Sequence, residues 1–268
     1  MPQITVRLEA EADYAAVNAL TRDAFWGYTG PTCDEHYLAH LLRKSPGFVP
    51  KLAFLAEVDG TLAGSILYSM AYIVMPDGRE KPVLNFGPLC THPRFRNVGI
   101  GSALMGHSIR EAARLGYDAI VFFGHPDYYP RFGFKRAYEF GILAHNGKVF
   151  DAHMAMELVP GALSGLTGGV FREDAAFAGL EDKAAFERFD SGFPPRAPAA
   201  MPPIEPLLER LNPEARQSIE SRNLGTTARF TMFSGQEIAA WPGIDATARG
   251  LIDDAMAEAG YPRKLWPL

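Results

Sequence analysis

The sequence predicts a mixed α/β fold, a mixed sheet with helices on both faces. Two observations carry this: β-rich runs joined by Asp-Gly turns, and helix-spaced stretches set between short apolar runs. Residues 3–8 (QITVRL) read as an opening strand. Residues 13–25 bring Ala16, Val17, Leu20 and Phe25 near one helical face, and 34–44 make a second helix that Asp34 is placed to cap. KLAFLAEV and TLAGSILYSMAYIV flank Asp59-Gly60, a hairpin signal because Gly tolerates the positive φ of a type I′ turn. PDGR at 76–79 makes a second turn, into a strand at 83–90. Residues 100–115 space Leu104, Ile109, Ala112 and Ala113 as a helix does, with Gly116 just past its end. The short apolar run 118–125 reads as a buried strand, and 134–143 and 149–159 as two more.

Composition narrows the function. The chain has 268 residues with a net charge of −5, so it lacks the basic surplus of a non-specific nucleic-acid binder. Two cysteines, Cys33 and Cys90, make neither a disulfide framework nor a zinc-ligand pattern, and no metal is expected. The acidic N-terminal stretch does not look like a signal peptide, and no apolar run reaches the ~18 residues of a membrane span. A cytoplasmic protein is expected, with no nucleic-acid or membrane partner.

The character of the chain changes near residue 160. We expect one domain over 1–160, then a Gly/Pro-rich linker and helical extension over 161–268. Gly161, Gly165, Gly168 and Gly169 open the second part, followed by a charged helical candidate at 172–190. Six prolines in 191–206 deny N–H donors and disfavour helix, so that segment should be extended or irregular. Helices are expected again at 207–223 and 246–259. They are short, so they should pack on the first part or on a partner subunit, which leaves a homodimer open.

Arg96, Asn97, Val98, Gly99, Ile100, Gly101 and Ser102 lie between a strand and a helix. A helix start offers unpaired N–H groups and the positive end of a dipole, and glycines let an anion approach the backbone. This is a candidate pyrophosphate cradle, with Arg94 and Arg96 adding charge. A P-loop is excluded because no lysine precedes Ser102. A dinucleotide fingerprint is excluded because Leu104 stands where the third glycine belongs.

Arg96-x-x-Gly99-x-Gly101 after Leu89-Cys90-Thr91-His92-Pro93 resembles motif A of the GNAT superfamily of acyl-CoA N-acyltransferases. Tyr129-Pro130-Arg131-Phe132-Gly133-Phe134 resembles the same family's segment after its fifth strand. The resemblance covers about residues 3–158. It implies a mostly antiparallel sheet splayed between strands four and five, and acetyl-CoA as acyl donor. The N–H groups of 97–102 would hold its pyrophosphate, and the strand end at Leu89, Cys90 and Thr91 would pair with the pantetheine amides. Gly87-Pro88 could loosen that strand, since Pro cannot donate to a ladder.

The resemblance further implies an N-acetyltransferase acting on a small-molecule or peptide amine by direct attack in a ternary complex. Tyr129 falls where the family keeps a tyrosine that protonates the departing thiolate; the alternative is a ring packing a short helix. Asn85 stands about where many relatives place a carboxylate base, and an amide cannot accept that proton. His125 and Asp127 are substitutes by location. Asp34, Glu35 and His36 could line an acceptor site but read more simply as surface or capping residues. Cys90 is expected to be buried packing rather than a nucleophile. Two other readings stay open: an acyl-CoA-binding sensor without turnover, and an interaction module centred on the C-terminal part.

Overall fold

The computed structural model describes residues 3–28, 30–222, 224–233 and 235–259. Asn223, Ser234 and residues 260–268, which fall within the expected C-terminal extension, lie outside them. The first part builds the sheet: β1 (Ile4–Leu8), α1 (Tyr14–Phe25), α2 (Glu35–Leu42), β2 (Phe54–Val58), β3 (Thr61–Val74), β4 (Glu80–Thr91), α3 (Ile100–Arg114), β5 (Ala119–Phe123), β6 (Lys135–Arg136) and β7 (His153–Glu157). The sheet runs β1-β2-β3-β4-β5-β7-β6, and only the β4–β5 pair is parallel. Asp59 (φ +49°) and Gly60 (φ +79°) make the hairpin that the Asp-Gly step predicts.

Strand alternation sends neighbouring side chains to opposite faces. Ile66 and Tyr68 pack with Leu104 and Met105 of α3, whereas Leu67 between them packs with Ala39 of α2. Leu20 and Ala24 of α1 cover Cys90 on that second face. Each fully buried Leu, Ile or Phe contributes roughly 1.5–3 kcal/mol, so these two layers hold the splayed sheet described below in place. Ala16 and Ala113 are exposed, so the stripes on their helices are carried by Val17, Leu20, Leu104 and Ala112 instead.

Four expected elements are revised, one of them the helix expected at 207–223, which divides into Glu205–Leu208 and Pro213–Glu220 because Asn212 caps a new start. Residues 134–143 give only the short β6, because Glu139 accepts the Arg136 N–H and turns the chain into a 3-10 helix ended by Gly141 at φ +74°. The strand expected at 149–159 is confined to His153–Glu157. The helix expected at 172–190 divides into β8 (Val170–Arg172), α4 (Ala175–Ala178) and α5 (Lys183–Asp190), because Asp174 and Asp182 each cap a new start. By contrast, Asp34 makes no side-chain cap bond on α2.

β8 joins the main sheet, pairing antiparallel with Tyr72–Val74 of β3. The chain then runs back over α1 and α2. Asp190 accepts from Arg22 at 2.7 Å and lies 2.9 Å from His36 Nε2, while Trp26 donates to Ala197 O at 3.2 Å. No helix interrupts 191–204, as the prolines require. Beyond it, α6 (Glu205–Leu208), α7 (Pro213–Glu220), α8 (Gly235–Ala239) and α9 (Ala246–Glu258) bury a cluster of their own around Phe230, Ile238 and Ile252, with Tyr28 packed against it.

Candidate active site

β4 and β5 are in register at Leu84 and Ile120 only. Past that point they diverge, and among the described residues no strand lies beside the β5-side flank of β4 from Phe86 to Thr91. Gly87 and Pro88 stand opposite a single residue, Leu67, since Ile66 pairs with Leu89 and Tyr68 with Phe86. This bulge re-aims the strand end. The gap opens into a cavity of about 800 Å³, lined by Leu89, Cys90 and Thr91 of β4, Tyr129, and Glu35 of α2 among others.

The cavity lining reaches Arg96, directly before the start of α3. Asn97 (φ +65°) and Gly99 (φ +97°) are both left-handed, which curls the loop around the helix axis. The first bond into the helix is from Ala103 N to Gly99 O, at 2.9 Å. The N–H groups of residues 97–102 donate to no acceptor among the described residues. A Cβ on Gly101 would sit 3.1 Å from the Tyr128 hydroxyl, so glycine keeps that approach open. Asn97, Val98, Gly99 and Ser102 are exposed here, while the Ile100 side chain is buried and leaves only its backbone available. Arg96 lines the cavity and donates to Ala24 O at 2.8 Å.

Tyr129 also lines the cavity, on a 3-10 turn spanning Tyr129–Phe132. Phe122 meets its ring edge-on at 4.6 Å and Phe86 lies 5.6 Å away, fixing the ring. Its hydroxyl hydrogen-bonds to no described residue. Burial, with Tyr128 and Tyr28 nearby, holds it protonated well above the ordinary tyrosine range. Cys90 is packed instead of poised: its thiol lies 3.2 Å from Ser65 Oγ and 3.7 Å from Thr21 Oγ1, and burial pushes its pKa up.

The residues weighed as bases separate clearly. Asn85 does not line the cavity; its amide donates to Glu173 Oε1 at 3.3 Å. His36 is fully buried against Phe186, Phe189 and Phe193. Asp127 accepts from Gly235 N. His125 lines the cavity, but its Nδ1 accepts the Asp127 N–H at 3.3 Å. Glu35, which could line an acceptor site but read more simply as a surface or capping residue, belongs to the cavity. Its Oε2 is buried without a partner, and burial pushes its carboxyl up to about 7. The signal was its place on the apolar stripe of α2, in line with Leu38 and Leu42. Phe233 and Glu237 also line the cavity, from the far end of the chain, with no local signal at all.

Residues 16–134 match the Acetyltransferase (GNAT) family. This segment is a GNAT acetyltransferase domain. The chain is 26% identical over 163 residues to the uncharacterized N-acetyltransferase YhbS of Escherichia coli K12, spanning 61% of this chain and 92% of that protein. The structure of Escherichia coli YhbS in complex with CoA shares the GNAT fold at a TM-score of 0.58 and 24% identity, over 66% of this chain and 93% of that one. A GNAT family acetyltransferase from Brucella melitensis, in complex with acetyl-CoA, matches at a TM-score of 0.52 and 25% identity, over 65% and 98%. Each match leaves more than a third of this chain without a counterpart. Among the described residues, no cluster is placed to hold a metal and no helix is long and apolar enough to cross a membrane.

Proposed function

We propose that this chain moves an acetyl group from acetyl-CoA to a primary amine by direct attack in a ternary complex. The observation that carries this is one cleft that joins the open β4 flank to Tyr129 and reaches Arg96, directly before the unpaired N–H groups at α3. The residues fit the donor. N–H groups of 97–102, with the dipole of α3 and Arg96, suit a pyrophosphate. The backbone from Leu89 to Thr91 offers the donors and acceptors that pantetheine amides need, and a backbone N–H there can polarise a thioester carbonyl.

Tyr129 suits the leaving group. A phenol held protonated can give its proton to a thiolate as the carbon–sulfur bond breaks. The packed thiol of Cys90 favours direct attack over an acyl-enzyme, because a buried neutral thiol is a poor nucleophile. Thiol release from acetyl-CoA, followed while both substrates are varied, tests the reading. Intersecting initial-rate lines are expected. Parallel lines, or CoA binding with no amine-dependent release, would overturn it.

A further inference from the structure

Part of the cavity wall comes from the C-terminal segment, beyond residues 16–134 that match the family. Phe233 and Glu237 line it, Trp241 meets Phe233 edge-on at 5.0 Å, and the cluster behind them packs against Tyr28. Gly235 N donates to Asp127 Oδ2 at 2.9 Å, fastening this wall to the loop between β5 and Tyr129. Away from Arg96 and the β4 flank, the lining is aromatic and aliphatic, with Tyr28, Leu38, Phe123 and Phe150, and its carboxyl groups are Glu35 and Glu237.

Resting on the acetyltransferase reading, we propose that the acceptor is a small primary amine on an aromatic or aliphatic body, seated between Glu35 and the Phe233–Glu237 wall, and that Glu35 takes its proton. A cation enters such a box because two carboxyl groups attract it and ring faces tolerate it. The ammonium in turn favours ionised Glu35, whose Oε2 lacks any other partner. His125 is the rival base, but with Nδ1 accepting a backbone N–H the neutral ring carries its proton on Nε2 and offers the cavity a donor. Arg96, Tyr28, Cys90 and Tyr129 are the other titratable groups facing the cavity, and none is a base near neutrality.

The protons balance as follows. The ammonium gives one to Glu35, and the freed nitrogen pair attacks the thioester carbonyl carbon. The carbon–sulfur bond then breaks, and Tyr129 gives its proton to the departing thiolate. The second nitrogen proton, released as the amide forms, restores Tyr129, and the proton on Glu35 passes to solvent.

The test compares amines with the full-length protein, following thiol release and, separately, CoA affinity by calorimetry. Phenylalkylamines should be turned over with kcat/KM about tenfold or more above spermidine, an aminoglycoside or a lysine peptide. Glu35→Gln should lower kcat about a hundredfold and remove the acid limb of its pH profile, with CoA affinity kept. Phe233→Ala and Glu237→Gln should raise KM for the amine about tenfold, again with CoA affinity kept. Native kcat in a Glu35→Gln protein that binds CoA overturns the proposal, as does an unchanged amine KM in both wall variants. Should Glu35→Gln lose CoA affinity by failing to fold, Glu35→Leu, similar in shape and without a carboxyl, replaces it, and native kcat there is equally fatal. Turnover of polyamines or peptides but not phenylalkylamines overturns this inference and leaves the acetyltransferase reading standing. Absence of CoA binding by the native protein removes both.

Discussion

Gly235 donates its backbone N–H to Asp127 Oδ2 over 2.9 Å, although the two residues are 108 positions apart. Arg136 approaches the same carboxylate at 3.7 Å from the other side and donates to Pro126 O. The loop from His125 to Tyr128, which leads into Tyr129, is therefore held between the sheet and the C-terminal helices. A catalytic group needs its support fixed more tightly than its own few contacts can manage. Here part of that support lies outside residues 16–134 that match the family.

Tyr129→Phe should leave stability unchanged, because the hydroxyl has no hydrogen bond to lose and the ring contacts with Phe122 and Phe86 remain. Turnover should fall about a hundredfold, the usual scale of a lost general acid. Single-turnover kinetics at saturating acetyl-CoA give the measurement. Native rates would assign Tyr129 to packing alone.

Gly101→Val should weaken CoA binding on the order of tenfold or more, since a branched side chain would crowd both Tyr128 and any anion at the helix start. Gly99→Val adds a folding cost of about 1–2 kcal/mol, because an L-residue at φ +97° is strained. Calorimetry beside thermal melting separates the two effects. Equal CoA affinity in a folded Gly101→Val protein would move the pyrophosphate elsewhere.

Glu35 should cost the native state stability at high pH. Burial raises its folded-state pKa from 4.5 to about 7, so folding disfavours the ionised form. The penalty is absent below the unfolded value and grows as pH rises through the folded one. Glu35→Gln should therefore melt above the native protein at alkaline pH, with the difference shrinking toward pH 4.5. Melting curves across that range check it, and a gap that does not change with pH would show the carboxyl to be well solvated.

Two truncations should behave differently. A chain ending at Pro160 loses β8 and uncovers Ile73 and its neighbours, all fully or nearly fully buried in the intact protein. It should aggregate or melt far lower. A chain ending at Ala200 keeps β8, α5 and the Arg22–Asp190 bridge, and should fold and bind CoA while losing affinity for the amine. Size-exclusion and calorimetry on both chains give the comparison. Equal stability of the two would make β8 dispensable.

What the sequence made legible was whatever local chemistry decides. The Asp59-Gly60 hairpin, the glycines at the start of α3 and the proline-rich break all follow from φ preferences and missing donors. β8 was not legible, because three residues among glycines become a strand only when the flank of β3 is there to receive them. Residues 134–143 looked like a strand until Glu139 turned back on Arg136. Glu35 was visible as an acid on an apolar stripe, yet its isolation depends on a cavity assembled from residues as distant in the chain as Phe233 and Glu237. Phe233 and Glu237 reach the cleft only through the tertiary fold.

β3 spans Thr61–Val74, but β2 covers it only as far as Ile66. Phe48, already made, bridges Ser69, and the rest of that flank waits for β8 opposite Tyr72–Val74. Ribosomes deliver the N-terminal part first, so roughly a hundred residues of synthesis, on the order of ten seconds, separate β3 from the strand that seals it. During that interval the nascent chain shows a bare sheet edge, the feature most prone to pair with a stranger. A pause in translation before residue 170 would prolong that exposure, and slow codons there would be a hazard in any host chosen for expression.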